Sequence, residues 1–154
     1  MSVRRATPAD VMAVAALFNA YRQFYDQPDD LRLATRFITN RLLNDDSVIL
    51  VAESADDPGD VRTRLLGFCQ LYPGFCSVLA KPIYTLHDLF VAPGARQTGA
   101  GRALLLAAHG HARTHGFARL DLSTAKTNHT AQALYESLGW VRDEVYFSYS
   151  LALD

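Results

Sequence analysis

The segment Leu86–Arg102 combines residue types that suit the binding of a phosphate group. An apolar, β-prone run ends at Pro93–Gly94, and a glycine-rich turn then opens a helical stretch. The free backbone N–H groups at the start of a helix, together with the helix dipole, attract anions. Gly99 and Gly101 let the main chain approach a bulky phosphate because they carry no Cβ atom. We therefore predict that a phosphate-bearing ligand binds at this turn.

Two common phosphate motifs match this turn only in part. The Walker loop G-x-x-x-x-G-K-[ST] has its glycines at Gly94 and Gly99, but Ala and Gly follow where Lys and Ser/Thr should stand. The dinucleotide motif G-x-G-x-x-G matches Gly99 and Gly101, but Leu104 occupies its third glycine position. Asp121 stands at the distance of that motif's acidic residue. A nucleotide-binding domain therefore stays an alternative.

Two sequence blocks resemble the GNAT superfamily of N-acetyltransferases. The pattern Q/R-x-x-G-x-G/A over Arg96–Gly101 is similar to the acyl-CoA pyrophosphate loop of that superfamily. The block Asn128–Trp140 is similar to its signature N-x-x-A-x-x-L-Y-E-x-x-G-[FW]. The resemblance is close from about Tyr84 to the C-terminus and general in the N-terminal half. It implies one GNAT domain over residues 1–154 that uses acetyl-CoA as its co-substrate and needs no metal.

The resemblance also implies the fold class, an α/β (α+β) GNAT fold. A central, mostly antiparallel mixed sheet of about six to seven strands is flanked by about four helices and splays open at the acyl-CoA site. Hydrophobic periodicity and turn residues predict strands over Val3–Ala6, Ser47–Glu53, Leu65–Tyr72, Ile83–Val91, Ala118–Ser123 and Val145–Leu153. They predict helices after the capping sequence Thr7–Asp10, from about Asp30 to Leu43, from about Ala100 to His115 and over Thr130–Leu138. Polar loops are expected over Ser54–Arg64 and Pro73–Pro82.

Acetyl transfer from a thioester to an amine needs a neutral amine, a polarised carbonyl and a proton for the departing thiolate. The resemblance places a tyrosine near the CoA sulfur, so we expect Tyr135 to act as the acid, the alternative being a tyrosine that only packs on the sheet. The residues expected to contact acetyl-CoA are Leu89, Phe90, Val91, Arg96, Gln97, Thr98, Gly99, Ala100, Gly101, Arg102 and Asn128. Solvated arginines and a plain helix cap at Asn128 are the alternatives.

His87 and Asp88 are the candidates for the group that takes the amine proton. The stretch Leu86–Val91 is most similar to the diamine acetyltransferase branch, which has two consecutive acids where this chain has His and Asp. Imidazole titrates near neutrality, so His87 is a candidate base through a water, and Asp88 is a candidate amine anchor or base. Neighbouring strand residues point to opposite faces, so we expect that the two side chains do not both face one amine.

A cationic amine would suit an aromatic and anionic rim. Candidate rim residues are Tyr21, Phe24, Tyr25, Tyr72, Asp26, Asp29 and Asp30. We therefore expect an N-acetyltransferase that acts on a primary amine of a small molecule, such as a diamine, or on an exposed peptide amine. The alternative is a non-catalytic acyl-CoA sensor or interaction module with the same fold.

Composition limits the binding partners and the cellular compartment that we expect for the protein. A net charge of −1 with no basic cluster argues against nucleic acid, and the absence of a long apolar run or a signal peptide argues against a membrane and for the cytoplasm. Cys69 and Cys76 are expected to be buried free thiols, and the helical pair His111/His115 to be exposed rather than to bind a metal. A homodimer is compatible with the sequence, with Val145–Leu153 as a candidate contact.

Overall fold

The computed structural model describes residues 1–55, 59 and 64–154 and shows five strands, four α-helices and two short 3-10 helices, Pro8–Asp10 and Pro93–Ala95, within them. The strands are β1 (Ser2–Arg5), β2 (Val48–Glu53), β3 (Leu65–Cys76), β4 (Lys81–Val91) and β5 (Leu120–Asp121). The helices are α1 (Val11–Phe24), α2 (Leu31–Asn44), α3 (Ala100–Thr114) and α4 (His129–Ser137). Backbone contacts divide the chain into two compact units, Met1–Leu122 and Ser123–Asp154.

The first unit is an open mixed sheet in the order β1-β2-β3-β4-β5. The first four strands are antiparallel, and β5 runs parallel to β4. β5 pairs only with Tyr84 and Thr85 of β4. From Leu86 to Val91 the outer edge of β4 has no partner strand within the described chain. This open edge agrees with the expected splay.

Helices cover the two faces of this sheet. Phe18 of α1 stacks on Phe37 of α2 and meets Phe68 of β3 edge-on, with ring centroids 5.1 and 6.4 Å apart. On β4, Tyr84 lies opposite Pro73 and contacts His111 of α3. Phe68 and Pro73 are an odd number of positions apart on β3, so α1 and α3 lie on opposite faces.

The N-terminal expectations are confirmed. The buried Asp10 carboxylate accepts hydrogen bonds from the Thr7 N–H (2.8 Å) and from both terminal nitrogens of Arg4 (2.7 and 2.9 Å). The hydrogen bond from Arg4 is the largest effect on the pKa of Asp10 and keeps it below its ordinary value. Asp30 caps α2 by accepting from the Leu33 N–H at 2.9 Å. The predicted helix ends are also found, since Gly116 and Gly139 have positive φ angles of 76° and 87° after α3 and α4.

The loop predicted over Pro73–Pro82 is wrong, because β3 continues to Cys76 and a short turn then leads into β4 at Lys81. β2 ends its pairing with β3 at Leu71, so β3 beyond that residue has only β4 beside it. A proline is tolerated in such an edge position because one of its backbone sides has no ladder to interrupt. The predicted Ser54–Arg64 connection contains residues 56–58 and 60–63, including Pro58, which lie outside the described residues.

The second unit contains α4 and a C-terminal segment that is not a strand. The prediction of a strand over Val145–Leu153 is wrong for this structure, and the predicted strand Ala118–Ser123 is reduced to Leu120–Asp121. Phe147 and Tyr149 are 90% and 92% exposed. A strand needs a neighbour for its backbone groups, and the second unit by itself contains no described strand beside this segment. Within the described residues the sheet contains five strands.

No helix within the described residues is long and apolar enough to cross a membrane.

Candidate active site

β3 and β4 change register at one point, and this point carries the candidate catalytic residues. Gln70 lies opposite Asp88, whereas the next residue of β3, Leu71, lies opposite Leu86. His87 therefore has no partner position on β3 and is the extra residue of a β-bulge. Such bulges interrupt the ladder and re-aim side chains, often beside active sites.

The bulge brings the side chains of His87 and Asp88 to one face of the sheet. Gln70 Nε2 donates to Asp88 Oδ2 at 2.6 Å, and the His87 ring meets the Tyr72 ring edge-on with centroids 5.0 Å apart. Gln70 and Tyr72 are two residues apart on β3 and therefore share a face. The expectation that His87 and Asp88 point to opposite faces is wrong, because the extra residue breaks the alternation. One amine on this face can meet both side chains.

The Asp88 carboxylate ends a buried chain of hydrogen bonds. The Ser47 hydroxyl donates to Gln70 Oε1 at 2.9 Å, and Gln70 in turn donates to Asp88. From α1, the Tyr21 hydroxyl donates to the His87 carbonyl oxygen at 3.1 Å and also interacts with the Asp88 carboxyl. Ser47, Gln70 and Asp88 are all buried, with Gln70 fully so. Ser47, Gln70, Asp88 and Tyr21 are called the Asp88 cluster below.

Burial controls the protonation of this cluster. It raises the pKa of the Asp88 carboxyl above its ordinary value, while the hydrogen bonds from Gln70 and Tyr21 and the nearby His87 act in the opposite direction. Burial also raises the pKa of the Tyr21 hydroxyl and raises that of Tyr72 to about 12. Both phenols therefore stay protonated at neutral pH, and the carboxyl is the group of the three that titrates at lower pH.

The predicted rim is found in part. Tyr21 and Tyr72 contact the Asp88 region, and Tyr25 meets Tyr21 edge-on at 5.1 Å. Two of the predicted acids have other roles in the structure. Asp29 accepts a hydrogen bond from Asn19 at 2.7 Å, and Asp30 caps α2. Asp88 is therefore a carboxyl group that interacts with Tyr21 and Tyr72, whereas Asp29 and Asp30 are engaged within the α1–α2 connection.

The glycine loop, residues Arg96–Gly101, has the backbone conformation that an anion site needs. Gln97 and Gly99 have positive φ angles of 64° and 88°, and α3 begins directly after Gly99. The Thr98 hydroxyl donates to the Ala95 carbonyl at 2.6 Å and closes the turn. The first N–H groups of α3, from Ala100 onward, have no acceptor within the helix. They are therefore free to bind a phosphate at the positive end of the helix dipole.

Two arginines flank the glycine loop. Arg96 and Arg102 are exposed, and neither belongs to an ion pair among the described residues. Their guanidinium groups are therefore available for charge-assisted hydrogen bonds to a phosphate.

The open edge of β4 lies between the bulge and the glycine loop in sequence. It contains the half-buried Leu89 and Val91 and the buried Phe90. A Cβ atom at Gly67 on β3 would lie 2.5 Å from the Phe90 carbonyl oxygen, so glycine is required for the close approach of the two strands. Backbone groups of β4 on the side away from β3 have no partner strand in the described chain, which leaves them able to bind an amide or a carbonyl.

The second unit holds Asn128 and Tyr135. The Asn128 side chain accepts from the Ala131 N–H at 3.2 Å and caps α4, which agrees with the alternative named for it. The half-buried Tyr135 ring lies 6.0 Å from the ring of Trp140.

The other residues singled out in the sequence are two histidines of α3 and the two cysteines. His111 and His115 stack with ring centroids 4.0 Å apart, and no group of three or more potential metal ligands exists among the described residues. Cys69 is buried as expected, whereas Cys76 is only half-buried, because it lies near the end of β3 beside the Arg119 guanidinium. Both thiols are free.

Sequence analysis did not identify Gln70 and Ser47 as parts of the site. A signal was present in the sequence, because the polar Gln70 shares the inward face of a largely apolar strand with Phe68 and Tyr72. A buried glutamine needs a polar partner, and such a partner is found in Asp88.

Comparison with known proteins identifies the family. The model of the acetyltransferase (GNAT) family matches residues 13–140. The chain belongs to the GNAT family of acetyltransferases. It is 45% identical over 151 residues to an uncharacterised N-acetyltransferase, YhfO, of Bacillus subtilis (strain 168), covering 98% of this chain and 97% of the relative. It is 30% identical to a probable acetyltransferase of Haemophilus influenzae over 68% of each chain.

A solved structure supports the same assignment. The crystal structure of a probable acetyltransferase superposes with a TM-score of 0.91 at 35% identity, covering 100% of this chain and 99% of that one. The chain is therefore an enzyme of the acetyltransferase class, with the GNAT fold and acetyl-CoA as the co-substrate of its family. The glycine loop, the free start of α3 and the open edge of β4 fit such a co-substrate.

Proposed function

We propose that this enzyme acetylates a primary amine of a small cationic molecule, such as a diamine, or an exposed peptide amine. The observation that carries this proposal is the buried Asp88 carboxyl, which shares one face of the sheet with His87 among the rings of Tyr21 and Tyr72. A carboxylate among aromatic rings attracts an ammonium group both by charge and by cation–π contact. Diamines fit because a second cationic group adds to this attraction.

The amine must lose a proton before it attacks. A free alkyl amine has a pKa of about 10.4, so at pH 7 the neutral form costs roughly 4.6 kcal/mol. Asp88 binds the ammonium group and takes its proton. The exposed His87 beside it is a second proton acceptor, which acts through a water. Orientation of the amine by the Asp88 cluster supplies a further part of the barrier reduction.

The acetyl group passes directly to the amine without an acyl-enzyme. The amine nitrogen forms a bond to the thioester carbonyl carbon, and the carbon–sulfur bond then breaks. Tyr135 donates its hydroxyl proton to the departing thiolate, and the second proton of the nitrogen is released to the phenolate or to water. Backbone groups of Leu89 and Val91 bind the acetyl carbonyl and the pantetheine arm, with Phe90 between them.

The glycine loop holds the diphosphate of acetyl-CoA. Main-chain N–H groups over Gln97–Gly101 and the side chains of Arg96 and Arg102 supply the contacts, and Thr98 keeps the turn closed. Asn128 contacts the pantetheine amides in addition to capping α4. These assignments rest on the resemblance of the loop and of the second block to the family.

A thiol-release assay with a panel of amines tests the function. We expect faster acetylation of alkyl diamines than of neutral aryl amines, because the latter lack the positive charge that Asp88 binds. The reverse ranking would contradict the substrate class. Calorimetric binding of CoA without thiol release for any amine, including peptide N-termini, would instead identify a non-catalytic acyl-CoA sensor.

The acid is tested by Tyr135→Phe. We expect turnover to fall by about 10²-fold or more, with little change in CoA affinity, because only the proton donor is removed. Measured kcat over the full pH range and calorimetric CoA binding check this expectation. A variant with full turnover at every pH would remove Tyr135 from the mechanism.

We propose that the chain acts as one GNAT domain and forms a homodimer in the cytoplasm. The family match crosses from the first unit into the second, which supports one domain. The two free thiols are typical of a reducing compartment.

The proposed homodimer rests on the C-terminal segment. Val145–Leu153 alternates apolar side chains that are exposed in one chain, so pairing with a second copy would bury them. Phe147→Asp should then lower the mass found by light scattering, whereas Val78→Asp, at a 96% exposed position in the β3–β4 turn, should not.

A further inference from the structure

Gln70 is a fully buried polar residue in the middle of the sheet. The contacts of its side-chain oxygen and of its side-chain nitrogen together determine the orientation of the amide. The Ser47 hydroxyl donates to Oε1, and Nε2 faces the Asp88 carboxylate, which as an anion can only accept. A buried amide of this kind is stable only when its partners are present. Gln70 therefore holds Oδ2 of Asp88 and leaves Oδ1 for other contacts.

Tyr21 of α1 approaches the same carboxyl. Its hydroxyl has one hydrogen and two acceptors, the carbonyl oxygen of the bulge residue His87 at 3.1 Å and the carboxyl of Asp88. One hydroxyl cannot donate fully to both. The ionised carboxylate is the stronger acceptor, and the neutral carboxylic acid is a weak one.

We propose that Gln70 and Tyr21 are positioning residues for Asp88, with Gln70 fixed by Ser47, and that the Tyr21 hydroxyl moves between Asp88 and the His87 carbonyl as the carboxyl loses and gains a proton. This inference deepens the proposed function and rests on it for the role of Asp88 as the base. The Tyr21 hydroxyl then donates to Asp88 when the carboxyl is ionised and to the His87 carbonyl oxygen when it is protonated. It therefore makes a hydrogen bond to one of the two bulge residues in both protonation states.

Other titratable groups also interact with the charge of Asp88. Cys69 and Tyr72 of β3 and His87 of β4 interact with its charge, in addition to Tyr21 of α1. Burial raises the pKa of the Cys69 thiol to about 12, so it stays neutral with the two phenols at neutral pH. His87 is the remaining ionisable side chain beside Asp88. Each titration is therefore repeated in a His87→Gln background.

The side-chain carbonyl carbon of Asp88, followed by NMR against pH, reports the network without requiring activity. Its signal is assigned by its loss in Asp88→Asn. We expect an inflection above the ordinary aspartate value of about 3.9 in the parent protein and a further rise of about one pH unit in Tyr21→Phe and in Gln70→Met, because each loses a donor to the carboxylate. Ser47→Ala should shift it in the same direction by less, since Gln70 is retained.

Tyr84→Phe is the matched control. It removes a phenol hydroxyl from β4 four residues before Asp88, but that hydroxyl faces His111 on the opposite side of the sheet. We expect no shift of the Asp88 signal in this variant. An unchanged Asp88 titration in Tyr21→Phe, Gln70→Met and Ser47→Ala would overturn the proposal, and urea unfolding of each variant confirms that it is folded.

The pH profile of kcat/KM for acetyl transfer separates this inference from the proposed function. If both hold, the midpoint pH of the acidic limb rises in each variant together with the midpoint of the NMR titration. Activity at a fixed pH below the limb then falls by about tenfold for each pH unit of this rise. If the NMR titration moves and the acidic limb does not, the positioning network stands and Asp88 is not the base.

Discussion

The Asp88 cluster, which we propose binds the amine, and the glycine loop, which we propose binds the diphosphate, are of opposite construction. The cluster is made of side chains, is largely buried, and joins residues from α1, β3, β4 and the position just before β2. The glycine loop is made of backbone, is largely exposed, and is continuous in sequence from Arg96 to Gly101. One region depends on which side chains meet, and the other depends on which φ angles the chain can adopt.

This difference suits the two substrates. A diphosphate is the same in every acyl-CoA, and backbone N–H groups bind it with little regard to neighbouring side chains. Amines differ in charge and shape, so their recognition needs particular side chains in particular places. We therefore expect substitutions in the cluster to change turnover and substrate choice, and substitutions in the loop to change CoA affinity.

The largest expected effect is that of Asp88→Asn. We expect kcat/KM for a diamine to fall by about 10²-fold or more, because the proton acceptor and the ammonium partner are lost together. In the parent protein the rate should fall as the pH drops through the raised pKa of Asp88, since the ionised carboxyl is the active form. This limb should be absent in the variant. Steady-state rates between pH 5 and 9 check both expectations.

CoA affinity and stability serve as controls for Asp88→Asn. Burial penalises the ionised carboxyl in the folded state, and this penalty is present above its pKa and disappears as the pH falls through it. The variant lacks the penalty, so it should unfold at no lower urea concentration than the parent at pH 8. A tenfold loss of CoA affinity in this variant would break the division of labour between the two regions.

The second largest effect is expected from Gly99→Val. Gly99 has a φ of 88°, and the nearest atom to an added Cβ is the end of the Met1 side chain at 3.9 Å, so space is available and conformation is the obstacle. A β-branched residue is strained there by about 1–3 kcal/mol. We expect CoA to bind at least tenfold more weakly by calorimetry, with a smaller change in kcat at saturation.

Gly110→Ala is the matched control for the loop. Gly110 lies inside α3 with no atom within 4 Å of an added Cβ and no positive φ. Alanine there should stabilise the helix by about 0.5–1 kcal/mol and leave CoA binding unchanged. Equal CoA affinity in Gly99→Val and Gly110→Ala would contradict the assignment of the loop.

The glycine loop was predictable from sequence for a physical reason. Its backbone conformation is local, because Gly99, which has a positive φ, stands directly before the apolar helix α3. The helices α1–α3 were predictable in the same way, from caps such as Asp30 and from periodic apolar residues. Features that depend only on a few neighbouring residues can be predicted from sequence without knowledge of the rest of the fold.

The Asp88 cluster was not predictable as a unit. His87 and Asp88 were identified, but a bulge is a property of the pairing between two strands and leaves no signature on β4 alone. Ser47 and Gln70 reach Asp88 through pairings between strands that are distant in sequence. The C-terminal segment shows the converse case, since Val145–Leu153 has the alternating pattern of a strand but is not assigned as one in the structure.

The smallest expected effect is that of Arg102→Gln. Arg102 is exposed in the first turn of α3, so a phosphate contact from it is screened by water and salt. We expect CoA affinity to fall by about threefold to tenfold at low salt, with kcat unchanged. Arg113→Gln, at an exposed position in the last turn of the same helix, is the control for net charge. If the phosphate is bound mainly by backbone, the effect of Arg102→Gln should vanish as the salt concentration rises, whereas that of Gly99→Val should persist, because strain in the main chain is not screened.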